Sequence, residues 1–309
     1  MKTIKYIASL LAGITLFSCD NFEDINTNPD AVTKVSPKLL ATGAIVGLMK
    51  PSKGKDFIYN QMTCKYIGWS EALEGTQYNN FGRESFSGYT SLTNYKLMAE
   101  LTDKDETMNE DKRNAYKGLA LFLKAYRLFE YTLNVGDIPY EGILEGKEGN
   151  LTVAYNTQED VFKFLLNDLD KAHEYFQNAN QTTFDGDPIF GGKVEQWHRV
   201  SNALELRVLI NLSKKINSTD INIKSKFNEI LDRNLLITFS TKEGQLYPFN
   251  ESLHSYKQYV MISGLVIDAL KANEDYRLFY YANPSEGKLN SGSQENDWDA
   301  YIGIDPSDP

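Results

Sequence analysis

Cysteine is nearly missing from this 309-residue chain: Cys19 and Cys64 are its only two. One disulfide is the most it can form, so stability has to come from a buried core. Histidine is almost as scarce. His173, His198 and His254 are scattered and lack the His-Glu-x-x-His pattern that sets two zinc ligands on one helix face. There is no Gly-x-Ser-x-Gly elbow and no phosphate loop, since "SKGKD" at 52–56 lacks the glycine spacing. One enzyme class stays open. A glycosidase needs only two carboxylates at a set separation, and the 42 acidic residues offer many pairs whose separation sequence does not give. Excess positive charge is also absent: 32 Lys and Arg against those 42 acids leave a net charge of −10. Phosphate neutralisation needs clustered cations, so nucleic acid and anionic lipid are excluded as long-range partners, and a neutral ligand fits better. Apolar and polar residues nowhere alternate for long, which leaves little room for strands.

The hydrophobic content is 41% and the aromatic content 12%, enough to bury one large domain or two intimate ones. Lys2 and Lys5 precede an apolar segment, Tyr6 to Phe17, that is too short to span a bilayer and is followed by no stop-transfer pattern. Residues 1–18 therefore read as a signal peptide. Leu16-Phe17-Ser18-Cys19 resembles the lipobox of bacterial lipoproteins, which implies that Cys19 becomes residue one and is acylated. Acyl chains contribute about 0.8 kcal/mol per buried methylene, so the anchor would be lasting. Cys64 would then have no partner within the chain. Asp20, Glu23 and Asp24 resemble the acidic export tag of surface lipoproteins in Bacteroidota. The turn-forming run "INTNPDAV" completes a lipidated tether over 19–35.

From Ser36 onward the pattern is helical. Ser36 is an N-cap with Pro37 at the first helical position, and Leu39, Leu40, Ile45 and Leu48 supply the apolar positions. A second helix is expected from Lys55 to Trp69. The clearest amphipathic stripe is Ala115, Leu119, Phe122, Tyr126, Phe129 and Leu133 within Asp111 to Asn134, stopped by Gly136. Thr157 with Asp160 forms a capping-box variant ahead of the stripe Val161, Leu165, Leu169, Ala172 and Phe176. A further helix is expected from Val194 to Lys215, with Trp197, Val200, Leu204, Val208 and Leu212 on one side, and others over Ile223 to Asp232 and Ser255 to Ala272. The class is mainly α, in antiparallel helix pairs with long loops at 70–89, 134–157, 179–193 and 282–309. Recurring Tyr, Ala, Leu and Phe are reminiscent of tetratricopeptide units, without a fixed 34-residue period.

Four motifs then resemble the SusD/RagB family of outer-membrane lipoproteins. They are "NTNPDAVT" at 26–33, "VGDIPYEGIL" at 135–144, "YNTQEDVFKFLLNDLDKAHEYF" at 155–176 and "GDPIFGGKVEQWHRVSNALELRVLINLS" at 186–213. The resemblance, closest to the SusD-like subgroup, implies a tetratricopeptide-like superhelical bundle over 36–309. It implies a surface lipoprotein of the outer membrane that binds oligosaccharide, or peptide as RagB-type relatives do, without cutting it. The partner implied is a SusC-like, TonB-dependent β-barrel transporter that the lipoprotein caps, and no cofactor is implied. The family chain continues further, and "YIGIDPSDP" resembles a stop inside a loop, so the domain is expected to be incomplete at its C-terminus. A structural or adhesive lipoprotein is the third reading.

Within the motifs, Gly136 can adopt a positive φ, Asp137 can accept from backbone amides and Pro139 fixes the exit direction, with Tyr140 closing the run. These read as architecture. Trp197 shares a face with Leu204 and Val208 and reads as core, while Asn202 and Arg207 are expected to satisfy buried backbone or carboxylate partners. The loop "YIGWSEALEGTQYNNFGRESFSGY" at 66–89 has no regular period. It interleaves Trp69, Tyr78, Phe81 and Tyr89 with Asn79, Asn80 and Arg83, and aromatic faces beside amides suit a neutral glycan. The same aromatics would serve equally to pack the loop onto the bundle or a partner. "NDWDAYIGID" at 296–305 is a second aromatic and acidic loop; Asp297, Asp299 and Asp305 are calcium-type ligands, although their spacing matches no EF-hand.

Overall fold

A computed structural model describes residues 35–49, 59–69, 85–237 and 260–306. Helix α1 spans Pro37–Met49, and Ser36 Oγ accepts from Leu39 N at 3.4 Å at its start. Helix α2 is Tyr59–Thr63, followed by strand β1, Ile67–Trp69. Helices α3 (Tyr89–Lys104), α4 (Glu110–Val135), α5 (Gln158–Asn178), α6 (Val194–Asn211) and α7 (Ile223–Asp232) form the body. Strand β2 (Val260–Ile262) and helices α8 (Gly264–Ala272), α9 (Leu278–Tyr281) and α10 (Glu286–Asn290) follow. No described helix is long and apolar enough to cross a membrane.

Helix α4 lies at the centre, between α3 and α5, with α6 behind α5 and α7 on α6. Three contacts show that α4 and α5 run antiparallel. Asn114 reaches Asn178, Lys124 reaches Asp168, and Gln158 Nε2 donates to Thr132 O, so one number rises as the other falls. Because α4 is covered on more than one side, its buried set exceeds a single stripe and adds Tyr116, Leu123 and Leu128 to Leu119, Phe122 and Phe129. Burial of each such side chain is worth about 1.5–3 kcal/mol. Leu133 leaves the expected stripe and is 41% exposed. Gly118 allows α5 to approach, since a Cβ there would stand 2.8 Å from the Phe176 ring.

Local chemistry closes the helices as the motifs suggest. Thr157 Oγ1 donates to Asp160 Oδ2 at 2.8 Å and accepts from Asp160 N at 3.2 Å, capping α5. Gly136, at φ +83°, ends α4 with its N–H on Thr132 O. Asp137 Oδ1 accepts from Gln158 N at 2.8 Å, so the residue after one helix caps the next.

The expected helices are corrected in four places. Residues 55–69 are not one helix: Lys65 sits at φ +61° and the chain leaves as β1, which pairs antiparallel with β2 through Ile67↔Ile262, Gly68↔Met261 and Trp69↔Val260. The helix expected over 255–272 begins only at Gly264, where Ser263 Oγ accepts from Leu265 N, because the preceding residues form β2. Helix α3 was missing from the periodicity, since its Thr, Asn and Tyr content blurs the stripe carried by Leu92, Tyr95 and Met98. The helix from Val194 stops at Asn211 and continues only as a single 3-10 turn, Ser213–Lys215. A second, smaller hydrophobic cluster of Ile267, Leu278, Ala300 and Tyr301 stands apart from the bundle core and makes residues 260–306 a module of their own.

Candidate functional site

The module 260–306 carries the most exposed aromatic surface among the described residues. Helix α9 is one turn long, and its Tyr280 and Tyr281, with Tyr276 just before it, are presented outward, at 86%, 59% and 76% exposure. Tyr276 is braced from behind, while Tyr280 and Tyr281 lie edge-on to each other. Trp298 contacts Tyr276 at 5.5 Å and Phe279 at 4.7 Å between ring centres, and Phe279 in turn contacts Tyr301 at 5.2 Å, all edge-on. Tyr301 is buried, and its hydroxyl donates to Glu295 O. Arg277, next to Tyr276 in sequence, is paired with Asp275, whose carboxyl that guanidinium holds down to about 2. Exposed phenol faces beside an oriented guanidinium suit a ligand with apolar C–H faces and hydroxyl edges.

Ile262 of β2 packs against this cluster, and β2 pairs with β1, from whose end the 70–84 segment departs. The strand pair thereby ties the root of the aromatic loop to the aromatic module. Trp69 lies in β1, paired with Val260. Tyr78, Asn79, Asn80, Phe81 and Arg83 lie outside the described residues, as does Cys19 with the tether. Tyr89 belongs to the bundle. Its ring sits against Phe86 and Tyr131, and its hydroxyl donates to Pro139 O at 2.9 Å, an arrangement in which burial raises its phenol. Asp297 Oδ2 accepts from Gln294 N, and among the described residues no three His, Cys, Asp or Glu side chains gather to hold a metal ion.

The motif residues take up structural positions with one departure. Trp197 is fully buried and donates from Nε1 to Asp187 Oδ2 at 2.8 Å. Tyr140 gives its hydroxyl to Asp168, and Asn202, fully buried, donates to Leu235 O and accepts from Arg233. Arg207 departs from expectation. It is exposed, 5.7 Å over the Phe129 ring, because α6 turns positions 204, 205 and 208 inward and 207 outward. The buried guanidinium is Arg233, at the end of α7.

Arg233 belongs to a polar seam that sequence spacing concealed. His173 Nδ1 on α5 lies 2.6 Å from His198 Nε2 on α6, so the two imidazoles share a hydrogen bond. Burial, then His173, pulls His198 down to about 4. Two turns further along α6, Glu205 is buried between Arg233 (2.8 Å) and Lys226 (3.4 Å), and Asp170 completes the group. Burial outweighs both cations and pushes Glu205 up to about 7. The signal available in sequence was that positions 173, 198 and 205 fall on the inward stripes of consecutive helices.

These shifts have opposite consequences for stability. A raised Glu205 stabilises the fold below its ordinary value of 4.5 and loses that contribution as pH rises to about 7. A depressed His198 stabilises above 6.5 and loses that contribution as pH falls to about 4. In urea unfolding between pH 4.5 and 6.5, Glu205→Gln is expected to gain stability relative to the parent as pH rises, and His198→Gln to lose it. Each slope is at most about 1.4 kcal/mol per pH unit. Curves parallel to the parent for both variants would dismiss these shifts.

Antiparallel helix pairs bearing an aromatic-faced module define a tetratricopeptide-like helical scaffold with a separate ligand-type surface. The chain belongs to the SusD-like family: residues 29–307 match the family described as "Starch-binding associating with outer membrane". Among solved structures it is similar to a SusD homologue of Bacteroides fragilis, with 41% identity and a TM-score of 0.74 over 89% of this chain and 58% of that one. A second SusD homologue from that species is 30% identical, with a TM-score of 0.66 over 88% of this chain and 58% of the other. An outer-membrane protein of Bacteroides vulgatus ascribed to nutrient binding is 27% identical, with a TM-score of 0.65 over 88% and 59%. The chain thus spans under two thirds of the length of these relatives. No curated protein matches it.

Proposed function

We propose that this chain is the ligand-binding part of a cell-surface lipoprotein of the outer membrane, anchored through Cys19, that binds neutral oligosaccharide without cleaving it. It hands the sugar to a SusC-like, TonB-dependent β-barrel that it caps. The observation that carries this reading is the outward set of Tyr276, Tyr280 and Tyr281 on a module braced by Trp298 and tied to the loop at 70–84. The net charge of −10 and the neutral character of a stacked aromatic site agree on an uncharged ligand.

Calorimetric titration with neutral hexasaccharides, maltohexaose first because the family is described by starch, tests the reading. Tyr276→Ala together with Tyr280→Ala is expected to weaken binding at least tenfold, about 1.4 kcal/mol, with helicity unchanged. Trp69→Ala and Tyr78→Ala are expected to weaken it as well. Release of reducing sugar, abolished by an Asp or Glu substitution, would replace the binding role with a hydrolytic one. An unmodified sulfur at Cys19 in the native product would remove the anchor.

A further inference from the structure

A second cavity lies on the bundle. The run Tyr140 to Glu145 arches over the groove between α3, α4 and α5 and leaves a cleft of about 420 Å³ beneath it. Asn156 Oδ1 accepts from the amides of Tyr140 and Glu141, and Lys96 Nζ donates to Leu144 O at 2.7 Å, so the arch is held at both ends. At the floor, Asp168 is only 7% exposed. Its Oδ2 accepts from Tyr140 Oη at 2.6 Å and from Lys124 Nζ at 2.9 Å, and Lys124 sits 4.4 Å over the Tyr140 ring. Its Oδ1 accepts no hydrogen bond, yet the residue lines the cleft. That oxygen is not one of the fully buried unpartnered atoms among the described residues, so it faces the cleft and is open to a donor that enters it.

The charges around that oxygen select the donor. Lys124 and Lys96 offset two of the three carboxylates Asp168, Glu141 and Glu145, so little net charge of either sign gathers around that oxygen. An uncharged ligand with hydroxyl donors satisfies all of them, since a carboxylate beside an ammonium offers an acceptor and donors to two neighbouring hydroxyls. Phe164, whose ring is 5.5 Å from that of Tyr140, supplies an apolar face along the wall, and Asn167 an amide at the rim. At about 420 Å³ the cleft is of the size that takes a small ligand.

We propose that this cleft is a second carbohydrate subsite, distinct from the aromatic module, that seats a single neutral sugar residue with adjacent hydroxyls donating to Asp168 Oδ1 and accepting from Lys124. The proposal extends the carbohydrate reading given above and rests on it for the ligand class. Methyl NMR on the whole chain tests it, following Ile143 and Leu144, which line the cleft. The probes are maltohexaose, mannohexaose and chitohexaose. At least one is expected to shift both residues saturably in the parent and equally in the Tyr276→Ala, Tyr280→Ala variant. Asn167→Trp, an exposed position on α5 that leaves the fold intact, is expected to abolish the shift by filling the mouth. Glucosamine and glucuronate are expected to bind at least tenfold more weakly than methyl glucoside. Sugar binding at the aromatic module with Ile143 and Leu144 unmoved would overturn this subsite and leave the proposed function standing; no response to any sugar at either place would overturn both.

Discussion

Trp197→Ala is expected to lower the unfolding free energy by about 3–5 kcal/mol. The indole is fully buried where α6 meets α4, with Phe122 at 5.7 Å and Phe190 at 5.3 Å between ring centres. Truncation leaves a cavity that these rings cannot collapse into, because each is held by its own helix or turn. A second loss adds to the first. Asp187 accepts from the amides of Ile189, Phe190 and Gly192 as well as from the indole, and it organises the turn that enters α6. That turn depends on Gly192, at φ +80°, where a Cβ would meet Phe184 O at 1.9 Å. Trp197→Phe keeps most of the volume but loses the hydrogen bond and leaves a small cavity, so about 1–3 kcal/mol is expected. Urea unfolding of the two variants separates packing from polar loss. A cost under 1 kcal/mol for Trp197→Ala would contradict the burial described.

Arg233→Met is expected to cost a similar amount, about 3–5 kcal/mol, for a different reason. The guanidinium contacts Glu205 at 2.8 Å, Glu229 at 3.0 Å and Asn202 at 3.0 Å, joining α7 to α6. Its removal strands Glu205, which is 1% exposed and keeps only Lys226 at 3.4 Å. The carboxyl then takes up a proton at still higher pH, so the loss deepens as pH rises above about 7. Replacing both residues, Arg233→Met with Glu205→Leu, removes the stranded charge and is expected to recover most of the stability. A double-mutant cycle measures the coupling directly. Simple additivity of the two losses would show that the pair does not act as a unit.

The helical class and its main bundle were legible because the stripes of α4, α5 and α6 obey a period near 3.6 and their ends carry Gly136, Asp137 and Thr157. The fold class follows from such patterns alone. The β1–β2 pairing was not legible, since it joins residues nearly two hundred positions apart and each strand is three residues long. Helix α3 failed for want of an apolar stripe, and its buried residues include Tyr95 and Thr102 as well as Leu92 and Met98. For Arg207 and Arg233, composition shows that a buried carboxylate needs a cation but not which helix supplies it. The histidines looked unrelated because 25 residues separate two positions that antiparallel pairing brings into contact. In the aromatic module Trp298 and Tyr301 stood out in sequence, whereas Tyr276 and Tyr280 did not, because exposure is a tertiary property.

A crystal structure of the protein bound to a neutral oligosaccharide that it retains tests the central claim most directly. The account predicts a sugar ring laid against Tyr276 or Tyr280, with Arg277 directed at its hydroxyls. Sugar bound elsewhere, with those phenol faces bare, would contradict it.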